Sequence, residues 1–151
     1  IKILPRMIVT SREHPNYHMK LFGYPEWRTY TDDHLSSFFE LDTYFYSSFY
    51  TNNLFPEAIK FTNAYRKWYS KDMANTFPKY GMLGFDTAFF FLKGLHKYGS
   101  NFEDNMNQMM LTPIQTGFKF ERVNNWGGFI NRKVFFVNFT KNFELIKLDF
   151  E

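Results

Sequence analysis

The stretch Leu21-Phe22-Gly23-Tyr24-Pro25-Glu26-Trp27 constrains this chain more than any other, because a short apolar strand there runs into a turn that sets one carboxylate among aromatic rings. Pro25 has no N–H and biases Tyr24 toward extended geometry, so a strand can reach Tyr24 while a helix cannot run through the junction. Glu26 is therefore expected just beyond the strand's carboxyl end, the place where open α/β sheets hold their ligands. A buried glutamate there would suit an ammonium group, since a desolvated carboxylate needs a cationic or multi-donor partner. The same residues also fit an exposed turn glutamate, or an acid that complements the dipole of the next helix.

The remaining pattern alternates helices with strands. Ile3, Leu4, Met7, Ile8 and Val9 fall at near-helical spacing and predict a short helix beginning near Pro5, ended by His14-Pro15-Asn16. His18 to Tyr24 follows as a strand whose apolar content suggests burial on both faces. Thr31-Asp32-Asp33 can cap a helix running through Phe38 and Phe39, and Asp42 to Tyr50 is aromatic and β-branched enough for a second strand. Pro56 then opens a helix whose stripe of Ala58, Phe61, Tyr65 and Trp68 predicts packing on a sheet. Lys79 to Tyr98 reads as a long helix, apolar nearly all round, with Ala88, Phe91, Leu92 and Leu95 facing inward, and Gly99 stops it. Phe102 to Met110 reads as a shorter helix. Beyond Pro113 the texture changes to strands, Gly117 to Val123, Val134 to Phe139 and Phe143 to Phe150, with the turn cluster Asn124-Asn125-Trp126-Gly127-Gly128 after the first. This C-terminal third is expected to be an antiparallel meander. No internal repeat or low-complexity linker divides residues 1–151, so one domain is the expectation.

Composition narrows the function classes. At 151 residues the chain can bury about 70% of the surface its unfolded form exposes, with no need of a metal or disulfide staple. It has no cysteine, which excludes disulfides, thiol catalysis and cysteine-zinc sites. The 18 basic and 15 acidic residues are scattered, and no basic run resembles a nucleic-acid footprint. Apolar stretches such as Thr87 to Leu92 fall far short of the roughly 20 residues that span a bilayer. The outlier is aromatic content, 21 Phe, 10 Tyr and 3 Trp. Ring faces match the C–H faces of sugars, but phenylalanine in such numbers is first of all a core filler.

Nothing supplies a recognisable catalytic set, so the chain reads as non-enzymatic. His14, His18, His34 and His96 lack HxH or HExxH spacing, Ser36-Ser37 and Ser47-Ser48 lack a GxSxG elbow, and no GxGxxG follows a strand. No cofactor is implied.

The order and wording of the pieces resemble the C-terminal part of type I periplasmic binding proteins, the branched-chain amino-acid receptor family. The resemblance rests on LFGYPEW, DTYFYSSFY, FPEAIKFTNAYRKWY, PKYGMLGFDTAFFFLKGLHKYG and GFKFERVNNWGGFINRKVFFVNF, which together cover nearly all of the chain. GFDTAFFFLKGL and GGFINRKVFFV further resemble receptor-type domains of envelope proteins that carry peptidoglycan-binding LysM repeats. The resemblance implies an α/β fold, a three-layer Rossmann-like lobe ending in the antiparallel meander, and a non-catalytic substrate-binding role in the periplasm or cell envelope of a Gram-negative bacterium. Family members hold their ligand between two lobes, and this chain corresponds to one partial lobe. On this reading Glu26 receives the ammonium of an amino acid or similar polar ligand. Phe85, beside Asp86, lines the pocket, Tyr24 and Trp27 flank the rim, and Tyr50 ends the second strand. The alternative is an envelope or peptidoglycan-associated interaction module of the same fold that has lost the ligand. A parallel sheet deprived of neighbours exposes backbone and an apolar face, so self-association into a homo-oligomer is expected.

Overall fold

The computed structural model describes residues 2–148. In chain order it contains α1 (Leu4–Glu13), β1 (Leu21–Gly23), a 3-10 turn (Pro25–Tyr30), α2 (Thr31–Glu40), β2 (Thr43–Ser47), α3 (Pro56–Tyr69), α4 (Tyr80–Tyr98), α5 (Phe102–Asn105), β3 (Phe120–Arg122), β4 (Phe129–Asn131), β5 (Phe135–Phe139) and β6 (Leu145–Leu148). The fold is mixed α/β with two sheets, and it forms two compact units. One is built from the chain up to Ser47 and the chain from Phe135; the other is Ser48–Val134. No helix among the described residues is long and apolar enough to cross a membrane.

The first unit is organised by a four-stranded sheet of order β1-β2-β5-β6. β1 and β2 are parallel, with Leu21 beside Thr43 and Gly23 beside Phe45, and α2 carries the chain between them. β2 and β5 are antiparallel from Thr43–Phe139 to Ser47–Phe135, and β5 and β6 are antiparallel as well. Because side chains alternate across a strand, Thr43, Phe45 and Ser47 share the buried face with Phe135, Val137 and Phe139. Phe38 of α2 meets that face edge-on, 5.1 Å from Phe45 and 6.0 Å from Phe139 between ring centroids, while Phe45 and Phe139 lie 5.4 Å apart. Each of these buried rings is worth about 1.5–3 kcal/mol in apolar transfer. Gly23 is required where it stands, because a Cβ there would lie 2.4 Å from the Phe45 ring.

β1 is shorter than its sequence suggests and is not buried on both faces. Gly23 turns inward, but Phe22 is 57% exposed and stacks on Tyr46 at 5.8 Å on the opposite face. α2 starts at Thr31 directly after the 3-10 turn, with Tyr30 as its N-cap residue and no side-chain cap bond; the side chain of Asp32 lies outside the described set. A two-pronged ion pair, Arg12 Nε to Glu40 Oε1 at 2.7 Å and Nη2 to Oε2 at 3.0 Å, ties α1 to α2.

In the second unit α4 is the spine, and its buried face reverses the sequence expectation. Met82, Asp86, Phe90 and Gly94 are buried, whereas Ala88, Phe91, Leu92 and Leu95 are exposed. The step of four from Met82 to Gly94 forms one face of a 3.6-residue helix, so the helix carries two apolar stripes and this unit uses the one with a charge and a glycine in it. Gly94 is needed there, since a Cβ would lie 2.0 Å from the Phe102 ring. Phe90, Phe102 and Met106 form the core with Phe118, Phe120 and Phe129 around them, and Phe118 stacks on Phe90 at 4.3 Å. α3 meets α4 through Phe61 and Phe85, 5.0 Å apart, and Trp68 at the end of its stripe is exposed. Inside its own unit α3 thus meets a helix through the Phe61–Phe85 contact.

The C-terminal third is not one meander. Asn124 to Gly128 does form a turn, but it joins β3 to an unforeseen short strand, β4, in a separate two-stranded hairpin. β5 instead pairs with β2, far earlier in sequence, and β6 follows β5 as a hairpin. Asp149 and Phe150, expected at the end of the last strand, lie outside the described residues.

Candidate functional site

The corner after β1 is built as Pro25 dictates. The strand ends at Gly23, and the chain then tightens into the 3-10 turn, with Trp27 N–H donating to Tyr24 O at 3.0 Å. The Tyr24 and Trp27 rings meet edge-on at 6.3 Å. Glu26 occupies the first part of this turn, immediately beyond the carboxyl ends of the parallel pair β1–β2. It is exposed, so the desolvated carboxylate imagined from the sequence is not what stands here. Tyr24 is exposed as well and Trp27 is half-buried. The first unit therefore brings together three of the six expected site residues.

The other three, Tyr50, Phe85 and Asp86, belong to the second unit. Phe85 is partly exposed and sits in a run of rings: Phe61 at 5.0 Å on one side and Phe89, nearly parallel, at 5.7 Å on the other. Tyr50 is half-buried, and its backbone N–H donates to Gln115 O at 3.0 Å. Next to it, Phe49 and Thr116 form an antiparallel bridge.

Asp86 has a different task from the one its neighbour Phe85 suggested. It is 3% exposed, and its carboxylate accepts three backbone N–H bonds. Ile114 donates to Oδ1 at 2.9 Å, and Gln115 and Thr116 donate to Oδ2 at 2.7 and 2.8 Å. Three charge-assisted bonds satisfy the buried charge and nail the 114–116 segment to α4. Both oxygens are spent on backbone, so Asp86 is a structural anchor.

Gln115, which the sequence did not single out, completes this knot. Its Oε1 accepts from Lys79 N–H at 3.0 Å and from the Thr51 hydroxyl at 3.4 Å, and its Nε2 donates to Lys79 O at 3.2 Å. One buried amide thereby joins the start of α4 to the segment after β2. Its sole sequence signal is an amide set between Ile114 and Thr116.

Among the described residues two cations, Lys20 and Arg12, have raised pKa values, and both serve the frame of the first unit. Lys20 is raised chiefly by its hydrogen bond to the Tyr44 hydroxyl at 3.2 Å, with Asp42 contributing from 3.8 Å. Arg12 is raised by its hydrogen bonds to Glu40. Among the described residues no group of His, Asp and Glu side chains could hold a metal ion.

Among the described side chains, the corner sets the Glu26 carboxylate beside the Tyr24 and Trp27 rings at the lip of a parallel strand pair. Compared with known proteins, the chain matches no family model, no curated protein and no solved structure.

Proposed function

We propose that the chain is part of a type I periplasmic-binding-protein-like receptor: a Rossmann-like lobe that binds an amino acid or a similar small polar molecule, without catalysis, in a Gram-negative cell envelope. The observation that carries the reading is the strand–proline–glutamate corner at the carboxyl ends of the parallel β1–β2 pair, where α/β sheets offer their ligand sites. Glu26 would receive the ligand ammonium, and Tyr24 and Trp27 would wall its apolar part. An exposed carboxylate suits one wall of a cleft that closes over its ligand, because closure then supplies the desolvation that strengthens the pairing. Calorimetry with a panel of amino acids on the full-length protein tests this. Saturable heat that disappears in Glu26→Ala is the expected result, and silence across the panel defeats the receptor reading.

A second reading, an envelope interaction module that holds peptidoglycan or an envelope protein, draws on the ring series Tyr69, Tyr65, Phe61, Phe85 and Phe89. Neighbouring centroids in that series lie 4.6, 6.4, 5.0 and 5.7 Å apart, and Tyr69, Phe85 and Phe89 are partly exposed. Co-sedimentation with peptidoglycan that is lost in Phe85→Ala/Phe89→Ala, combined with no amino-acid heat, would favour it.

A further inference from the structure

We propose that the cleft between the polar stripe of α3 and Lys79 binds a small phosphate monoester with a hydroxylated body, the chemistry of a sugar or polyol phosphate. This is independent of the corner at Glu26, and of the receptor reading built on it. The cleft lies wholly in the second unit and encloses about 310 Å³, toward the small end of small-molecule sites. Ile59, Thr62, Asn63 and Arg66 line one wall, and Asn53 and Lys79 complete the lining. The four α3 residues fall at i, i+3, i+4 and i+7, so they share one helix face, a different one from that of Phe61.

The lining groups are largely unspent on the protein itself. Among the described residues Lys79 has no ion pair, and the side chains of Asn53, Thr62 and Asn63 make no hydrogen bond. Arg66 gives its Nε to Asp72 and keeps its terminal nitrogens, so the unbalanced positive charge of the lining rests on Lys79. A guanidinium fork and an ammonium in one cleft match a phosphate dianion through charge-assisted hydrogen bonds. Amide and hydroxyl groups, which both donate and accept, match the hydroxyls of the body. Ile59 is the apolar member of the lining, too little surface to hold an aliphatic or aromatic body.

The walls are set before any ligand arrives. Buried Gln115 holds Lys79 by both backbone groups, at 3.0 Å to its N–H and 3.2 Å to its carbonyl, and so leaves the ammonium to the cleft. Lys79 directly precedes the 19-residue α4, which puts the positive end of that helix dipole beside the lining. Asn53 stands in a turn that Asn52 closes: Asn52 Oδ1 accepts the Leu54 N–H at 3.0 Å, and Asn52 O accepts the Phe55 N–H at 3.1 Å. Positions fixed in this way lower the ordering cost of binding. The cleft thus calls for an anion, which separates it chemically from the glutamate corner.

The test is calorimetry on the full chain with mannitol phosphate, mannitol and inorganic phosphate. Mannitol phosphate should saturate, while mannitol, which lacks the charge, and inorganic phosphate, which lacks the hydroxylated body, should each bind about tenfold or more weakly. Lys79→Ala removes the ammonium and keeps the backbone bonds to Gln115; Asn63→Asp sets a carboxylate in the cleft at an exposed position that the fold tolerates. Each should raise the mannitol phosphate Kd about tenfold or more. Glu26→Ala should leave it unchanged. No saturable mannitol phosphate binding, binding that either cleft variant leaves unchanged or that Glu26→Ala abolishes, or either control binding as tightly as the monoester would each overturn the assignment.

Discussion

Asp86 shows how much of this protein is decided by single side chains that bond to backbone. Its two oxygens take three N–H groups from consecutive residues, so removing it strands donors at a place from which water is excluded. Hydrogen bonds to a charged group contribute about 1.5–3 kcal/mol each and are not additive, so Asp86→Ala should cost about 3 kcal/mol or more. Asp86→Asn is the sharper probe. Asparagine keeps one acceptor but turns an NH2 toward backbone N–H, and it should still cost about 2 kcal/mol. Urea unfolding of the three proteins checks this through the midpoint at constant slope. Wild-type stability in Asp86→Asn would mean that the carboxylate is not the anchor of the 114–116 segment.

At the scale of elements, α4 poses the question of what an amphipathic pattern means when both sides are apolar. Its outward stripe includes Leu92 and Leu95, 68% and 52% exposed, with Phe85 and Ala88 beside them. A contiguous apolar surface of this kind promotes association, so the chain should scatter light as more than one 18.3 kDa unit at micromolar concentration. Leu92→Lys/Leu95→Lys should return it to a single chain while changing stability by no more than about 0.5 kcal/mol, as exposed positions allow. A wild-type chain of single mass would sink the expectation.

The same helix marks the limit of sequence legibility. Pro25, Pro56 and Gly99 act locally, by a missing N–H or by a positive φ of 55° at Gly99, so the ends of β1, α3 and α4 can be read directly. The buried face of α4 cannot, because Asp86 and Gly94 are inside only to serve the distant 114–116 segment and Phe102. Hydrophobicity alone prefers Ala88, Phe91, Leu92 and Leu95. For the candidate site, Pro25 makes the position of Glu26 legible. Gln115 is not, because the Lys79 backbone groups it bonds lie elsewhere in the chain and leave no periodic trace. β4 escapes for another reason: three residues are too few to show alternation.

For the whole molecule, the decisive pairing is β2 with β5. Ser47 and Phe135 are register partners at the end of that antiparallel ladder, so the chain leaves the first unit and returns to it at adjacent points, with Ser48–Val134 entire between them. The first unit is therefore specified by contacts among β1, α2, β2, β5 and β6 that do not need the intervening sequence to set their register. Joining Ser47 to Phe135 through Asn-Gly should convert β2–β5 into a tight hairpin, because a type I′ turn has the twist such a ladder requires. The shortened chain, roughly 65 residues, sits at the margin of independent stability. It keeps the Phe38–Phe45–Phe139 cluster intact, so it should unfold cooperatively, at a lower urea midpoint than the full chain. Circular dichroism and amide exchange read the outcome. Protection of the amides between β2 and β5 is the expected result, and a chain with strand content but no protected amides there would mean that the sheet register depends on the second unit.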